Sequence, residues 1–197
     1  RRKHYADPVG PDTSDTFELP DGWSWASLDQ LSWSSQYGTS AKCTPEGRGQ
    51  PVLRIPNLRG GSIDRTNMKF ANARLYLSSS DFIAPGDLLI VRTTGSEDLI
   101  GRTGIALTDS EADTYFASYL IRFRLVGQSS LWRWIQAFTE SSVFRALVKR
   151  SIGSSAGQYN LSMGKLGSFP IALPPRAEIE EILERCNEAA MPQNVEI

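Results

Sequence analysis

Polar, glycine-rich phrases punctuate this chain at the ends of short apolar segments, so it reads as many brief elements joined by loops that present side chains. The phrases are Pro51-Val-Leu-Arg-Ile-Pro-Asn57, Pro85-Gly-Asp-Leu-Leu-Ile-Val-Arg-Thr-Thr-Gly-Ser96 and Ser155-Ala-Gly-Gln-Tyr-Asn-Leu-Ser162. Each sets Arg, Asn, Gln, Ser or Thr just beyond a stiff stretch, where a rigid scaffold offers donors and acceptors to a polar partner. None has the make-up of an active site.

Strands are expected at about 51 to 56, 87 to 92, 104 to 107 and 118 to 125, each bounded by Gly, Pro or Asp and rich in β-branched or aromatic residues. Between 131 and 150 the pattern is helical, but Leu131, Trp134, Ile135 and Phe138 share one face while Phe144, Leu147 and Val148 project to the other. That reversal predicts two helices, the second capped by Ser141 or Ser142. Residues 151 to 169 read as a Gly-Ser loop, and Phe169 to Pro175 as an extended piece. The fold class is α+β: a mixed or antiparallel twisted sheet with a few packed helices. Trp23 and Trp25 anchor the start of the fold to its core. At the other end Ile179, Ile182, Leu183, Cys186 and Ala190 form one stripe on a Glu-rich helix that needs a packing partner. The expected organisation is an end of a preceding helix and a linker over 1 to 18, one domain over 19 to 176, and a helix with a tail over 177 to 197.

At 197 residues the chain is long enough for one well-buried core. Its longest apolar stretches are strand-length and abut charges, so no membrane span or signal-peptide core is read, and a cytoplasmic protein is expected. Cys43 and Cys186 make neither metal-ligand spacing nor a secreted disulfide framework. The net charge of −1 hides an uneven distribution. From Lys42 to Arg74 seven basic residues face two acids, and from Ser141 to Pro170 four face none, whereas the acids gather toward both ends. A near-neutral whole can therefore carry a basic face suited to nucleic acid.

Catalytic alternatives fare poorly. A metal-dependent nuclease of the common kind needs a carboxylate two residues before a lysine, yet Ser40, Asn67, Leu147 and Met163 stand before Lys42, Lys69, Lys149 and Lys165. An adenine methyltransferase needs Asn or Asp ahead of a Pro-Pro pair, and Leu173 precedes Pro174-Pro175. Its single histidine, His4, sits in a terminal tail, which disfavours Ser-His, Cys-His or His-metal chemistry. No catalytic, cofactor-binding or metal site is assigned.

Taken in order, Leu19-Pro-Asp-Gly-Trp-Ser-Trp-Ala-Ser-Leu28, the 51 to 64 and 85 to 96 phrases, Ile100-Gly-Arg102, Ala117-Ser-Tyr-Leu-Ile-Arg122, Gly157-Gln-Tyr-Asn-Leu-Ser162 and Ile171-Ala-Leu-Pro-Pro175 resemble the target recognition domains of type I restriction-modification specificity subunits. The tail Arg1-Arg-Lys-His-Tyr5 resembles the end of a helix that follows the first such domain, pointing to the C-terminal one. The resemblance implies a non-catalytic DNA reader of half of a split target. Its implied partners are double-stranded DNA, methyltransferase (modification) subunits, a restriction subunit, and a second recognition domain or second copy met through the C-terminal helix, which would start an antiparallel coiled-coil spacer. S-adenosylmethionine, ATP and magnesium would belong to those partner subunits. The sequence departs from the family at Arg176-Ala-Glu-Ile179, where an acidic-Gln pair is common, and at Pro192, which stops the helix early.

Candidate DNA contacts follow from residue type and position. Arg54 and Asn57 end one strand, and Arg92, Thr93, Thr94 and Ser96 repeat that layout after another, where a guanidinium forks onto guanine or phosphate and an amide pairs with adenine. Asn57 and Thr94 are equally plausible as turn-formers. The resemblance implies that the framework phrases, shared among family members with different targets, shape the site or grip the backbone while variable loops read bases, which points to Tyr37 to Gln50, with Lys42, Arg48 and Gln50, as reader of base edges. A second site gathers Gln158, Tyr159 and Asn160 beside the basic helix bearing Arg145, Lys149 and Arg150, although Gly153 and Gly157 could simply permit a turn that Asn160 caps. The alternatives in other classes are a protein-interaction or assembly module with a basic surface, and an uncommon hydrolase.

Overall fold

In the computed structural model the described residues are 7–109, 113–155 and 157–190. The elements in chain order are β1 (Ser24–Ser27), β2 (Ser32–Tyr37), β3 (Cys43–Thr44), β4 (Pro51–Leu53), β5 (Leu58–Arg59), β6 (Gly61–Ile63), β7 (Lys69–Ala71), β8 (Asp87–Val91), β9 (Thr93–Thr94), β10 (Thr103–Ile105), β11 (Tyr115–Phe116) and β12 (Leu120–Leu125). After them come helices α1 (Ser129–Thr139) and α2 (Ser142–Ser151), strands β13 (Gly153–Ser155) and β14 (Gln158–Asn160), helix α3 (Met163–Gly167), β15 (Pro170–Leu173) and α4 (Arg176–Ala190). This is the mixed α+β class read from the sequence.

The largest sheet runs β2-β12-β8-β10-β6-β5. Its pairs are antiparallel except β10 with β6, which is parallel. β8 is buried along its whole length, which explains the unbroken apolar run Leu88-Leu-Ile-Val91. Because side chains alternate across a strand, Leu88 and Ile90 enter one core and Leu89 and Val91 another. The first core adds Ile121 and Phe123 of β12, the apolar faces of α1 and α2, Phe169 and Ile171. The second adds Leu53, Leu58, Phe116 and Leu120 and supports a smaller sheet ordered β11-β4-β7-β3.

The expected break between helices falls where the apolar face reverses. Ser141 caps α2 by accepting a hydrogen bond from Phe144 N at 3.2 Å. Trp23 and Trp25 both pack against the main core, and β1, which begins just after Trp23 and contains Trp25, pairs antiparallel with β15. The Pro- and Asp-rich stretch before them lies along the domain: Asp12 N donates to Ser168 O at 2.9 Å, and Ser27 Oγ donates to Val9 O.

One expectation is corrected here. Residues 151 to 169, read as a loop, form the β13–β14 hairpin and the short helix α3, whose N-cap Ser162 accepts from Lys165 N. The hairpin has little apolar signal of its own because its backbone is satisfied by β9, more than sixty residues away in sequence. In α4, Ile179 is buried, Ile182 and Leu183 pack on the core, and Cys186 is exposed, so only the first half of the stripe is covered. Trp23 Nε1 donates to Glu178 Oε2 at 3.1 Å and pins that half. The expectations for Arg1 to Tyr5, with His4, and for Pro192 lie outside the described residues. Among the described residues, no helix is long and apolar enough to cross a membrane.

Candidate nucleic-acid interface

β8 delivers Arg92 to the edge of the buried sheet, and the chain then leaves that sheet to pair with the hairpin. Tyr159 lies opposite Thr94 and Asn160 opposite Thr93, while Leu161 N donates to Arg92 O at 2.8 Å. Two phrases that the sequence shows as separate sites, Arg92 to Ser96 and Gln158 to Asn160, are thereby one three-stranded surface. The Arg92 guanidinium lies 5.0 Å from the centre of the Tyr37 ring and reaches Ser118 O at 3.4 Å. A cation over an aromatic face contributes about 0.5–1 kcal/mol at a partly wet site, enough to favour one orientation of the group over others at a surface. Gln158 is exposed, and Tyr159 and Asn160 are half-buried.

Beside this surface lies a cleft of about 390 Å³ between the Thr39 to Cys43 segment, the residues after β4, Lys69 of β7 and the Ala117 to Tyr119 turn. Lys42, Arg54 and Lys69 line it, with the hydroxyl-bearing Thr39, Ser118 and Tyr119. Ser118 belongs to both features, since its carbonyl takes the Arg92 bond. The cleft wall is held by backbone bonds from Thr39 N to Phe116 O and from Ser118 N to Thr39 O. They require Gly38, because a Cβ there would overlap the carbonyl oxygens of Phe116 and Ala117. Gly38→Ala is expected to cost about 1–3 kcal/mol in urea denaturation by forcing these strands apart. An unchanged midpoint would show that the wall moves freely.

Several sequence candidates already have partners within the fold. Asn57 is buried: its Oδ1 accepts from Arg54 N at 2.9 Å, and its Nδ2 donates to Asp64 O and Thr66 O. Gln50 spends both ends of its amide on Leu75, accepting from its N and donating to its O. Arg145 reaches back to the loop after β9, donating to Ile100 O at 2.6 Å and to Glu97 O. The physical reason is common to all three: a buried or half-buried backbone group left unpaired costs more than a surface side chain gains in water, so nearby amides and guanidinium groups are drawn in. Thr94 Oγ1 accepts from Ser96 N and so holds a turn. Arg54 donates through Nη2 to Asn67 O yet still borders the cleft. Lys42, Arg48 and Lys149 are exposed.

Other surface features have no individual role in the sequence reading, although Tyr37 bounds the segment proposed there as reader of base edges. Tyr37 and Tyr119 flank the Arg92 and cleft region and are about half exposed, and Tyr76 is fully exposed on the segment that Gln50 clamps. The signal for Tyr37 was its place in Ser32-Trp-Ser-Ser-Gln-Tyr37, an aromatic alternating with serine on an edge strand. For Lys69 and Tyr119 no local signal exists, since their partners come from distant segments.

No protein-family profile matches the chain. It is 29% identical over 148 residues to the EcoKI type I restriction enzyme specificity subunit of Escherichia coli K12, covering 75% of this chain and 32% of that protein. To the EcoEI specificity subunit of Escherichia coli it is 25% identical over 194 residues, covering 92% of this chain and 32% of the relative. The StySPI specificity subunit of Salmonella potsdam is 24% identical over 169 residues, across 83% of this chain and 35% of its own. The chain thus spans about a third of the length of the curated relatives it matches. Among solved structures, a chain from a study of complex assembly and conformational transition of the type I R-M system superposes with a TM-score of 0.61 at 20% identity, covering 89% of this chain and 40% of that one. The HsdS subunit from Thermoanaerobacter tengcongensis gives 0.58 at 20% identity, over 88% and 39%. By sequence and by fold, this chain is similar to the specificity subunits of type I restriction-modification systems, over a stretch about a third of their length.

Proposed function

We propose that this chain reads one half of a bipartite duplex-DNA target for a type I restriction-modification enzyme, and that it carries out no catalysis itself. The observation that carries the reading is the joining of Arg92, Thr93 and Thr94 to Gln158, Tyr159 and Asn160 on one surface, next to a cleft lined by three cations. Cations neutralise backbone phosphates and supply most of the salt-dependent affinity, while amides and hydroxyls on a rigid sheet are suited to base edges. In this reading the chain is the C-terminal recognition domain of its subunit and works in the cytoplasm. The exposed half of α4, with its Glu-rich outer face, begins an antiparallel coiled-coil spacer that meets a second recognition domain or a second copy. The bound DNA is presented to methyltransferase subunits, where S-adenosylmethionine acts, and to a restriction subunit, where ATP and magnesium act.

The test is selection of bound duplexes from a randomised pool at low and then higher salt. The expected result is enrichment of one short motif. For Arg92→Ala the expected result is binding about tenfold weaker across all sequences, with a salt slope smaller by about one. A pool that binds without any enriched motif would remove autonomous half-site reading and leave the assembly-module alternative.

A further inference from the structure

The cleft beside Ser118 is unusual electrostatically. Lys42, Arg54 and Lys69 converge on it, and its lining contains no carboxylate. Among the described residues none of these three cations has a carboxylate oxygen within 4 Å, although other basic residues such as Arg59, Arg65 and Arg124 are ion-paired. Arg54 is oriented by its bond to Asn67 O, and its Nε, buried at the cleft, has no acceptor. Three like charges around one concavity repel each other, and that repulsion is relieved when an anion enters. A backbone phosphate has the matching chemistry: it is small, carries a full charge, and accepts from guanidinium and ammonium donors at once.

We propose that this cleft is a phosphate seat, which receives one backbone phosphodiester of the bound duplex and so fixes the register of the neighbouring Arg92 and hairpin surface on DNA. The inference rests on the DNA-reading function proposed above and adds to it a specific seat and its ligand. A phosphate held at a defined point beside the reading surface converts nonspecific attraction into a fixed alignment, because base contacts discriminate only when the scaffold is held in one position along the duplex.

Cys43 lines the cleft and reports on its occupancy. Burial pushes its thiol above the ordinary value, with Arg54 and Lys69 partly offsetting this, so the thiolate forms less readily and labelling is carried out at alkaline pH. The experiment uses the full chain carrying Cys186→Ser, so that Cys43 is the sole thiol, and a 30-bp duplex drawn from the selected pool, or a random-sequence duplex if none is enriched. The expected result is that the duplex slows Cys43 labelling. Lys42→Gln with Lys69→Gln should abolish that protection and lower the salt slope of duplex binding by about two. Lys42 and Lys69 take part in the fold through their backbones, Lys42 O accepting from Asn72 N and Lys69 pairing with Val52 across β4 and β7, while neither lysine side chain makes a hydrogen bond or ion pair with the described residues, so the variant is expected to keep the fold, which its melting curve checks.

The proposal is overturned if bound duplex leaves Cys43 reacting at its free rate, or if the double variant keeps both protection and slope while the parent binds DNA. Protection by inorganic pyrophosphate but not by duplex also overturns it, assigning the seat to a free phosphate instead. A parent chain that shifts no duplex at low salt overturns the DNA-reading function itself, and with it the duplex as the source of the phosphate. That outcome is read from mobility rather than from the thiol, so the two failures are distinguishable.

Discussion

Asp87→Ala is expected to destabilise the domain by about 3–5 kcal/mol, a large share of the stability of a domain this size. The Asp87 side chain is wholly buried and serves two arginines. Arg124 grips it through Nε at 2.8 Å and Nη2 at 2.9 Å, and Arg122 Nη1 lies 3.6 Å away. Both guanidinium groups also donate to carbonyls of the 80 to 82 segment, and Arg122 donates further to Gln36 Oε1. Burial pushes Arg122 below the ordinary arginine pKa, whereas its hydrogen bonds to Asp87 raise Arg124. With the carboxylate gone, two adjacent cations lose the counter-charge they contact and keep only the longer-range attraction of Asp81, and one of them is 3% exposed. Arginine holds its proton under such conditions, so the cost cannot be relieved by neutralisation. Urea denaturation of the parent and variant measures the effect, and a loss below about 1 kcal/mol would mean that water reaches the cluster.

Phe144→Ala should cost a similar amount, about 3–5 kcal/mol, for an apolar reason. Phe144 is 1% exposed and meets Phe138 and Phe169 edge to face, with ring centroids at 6.5 and 5.8 Å. It therefore joins α1, α2 and the residue leading into β15 at one point. Removing the ring forfeits its transfer free energy and leaves a cavity that three separate elements must close together. α2 also carries Arg145, which holds the carbonyls of Glu97 and Ile100. Loosening α2 is thus expected to speed amide exchange in the loop that follows β9, beside the proposed DNA surface. Equal exchange in the parent and variant would show that this loop is supported independently of the helix.

What could be read from the amino-acid sequence was local in origin. The run Leu88 to Val91, the aromatic and β-branched residues of β12, and the reversal of the apolar face between Phe138 and Phe144 each report on their own backbone, because strand and helix periodicity and capping act over a few residues. Trp23 and Trp25 declared an anchor by size alone. The ordered phrases also pointed to the specificity-subunit family, which the relatives bear out. The partners of polar side chains were decided only by tertiary structure. Gln50 and Arg145 look in sequence like surface groups free to meet DNA, and Asn57 equally like a DNA contact or a turn-former, but folding brings orphaned backbone carbonyls and amides within their reach, and satisfying those is the stronger demand. The same holds for the surface itself. Thr93 and Asn160, or Lys42 and Lys69, become neighbours only when distant strands pair, since the hydrogen bonds that align them are made by backbone groups identical at every residue.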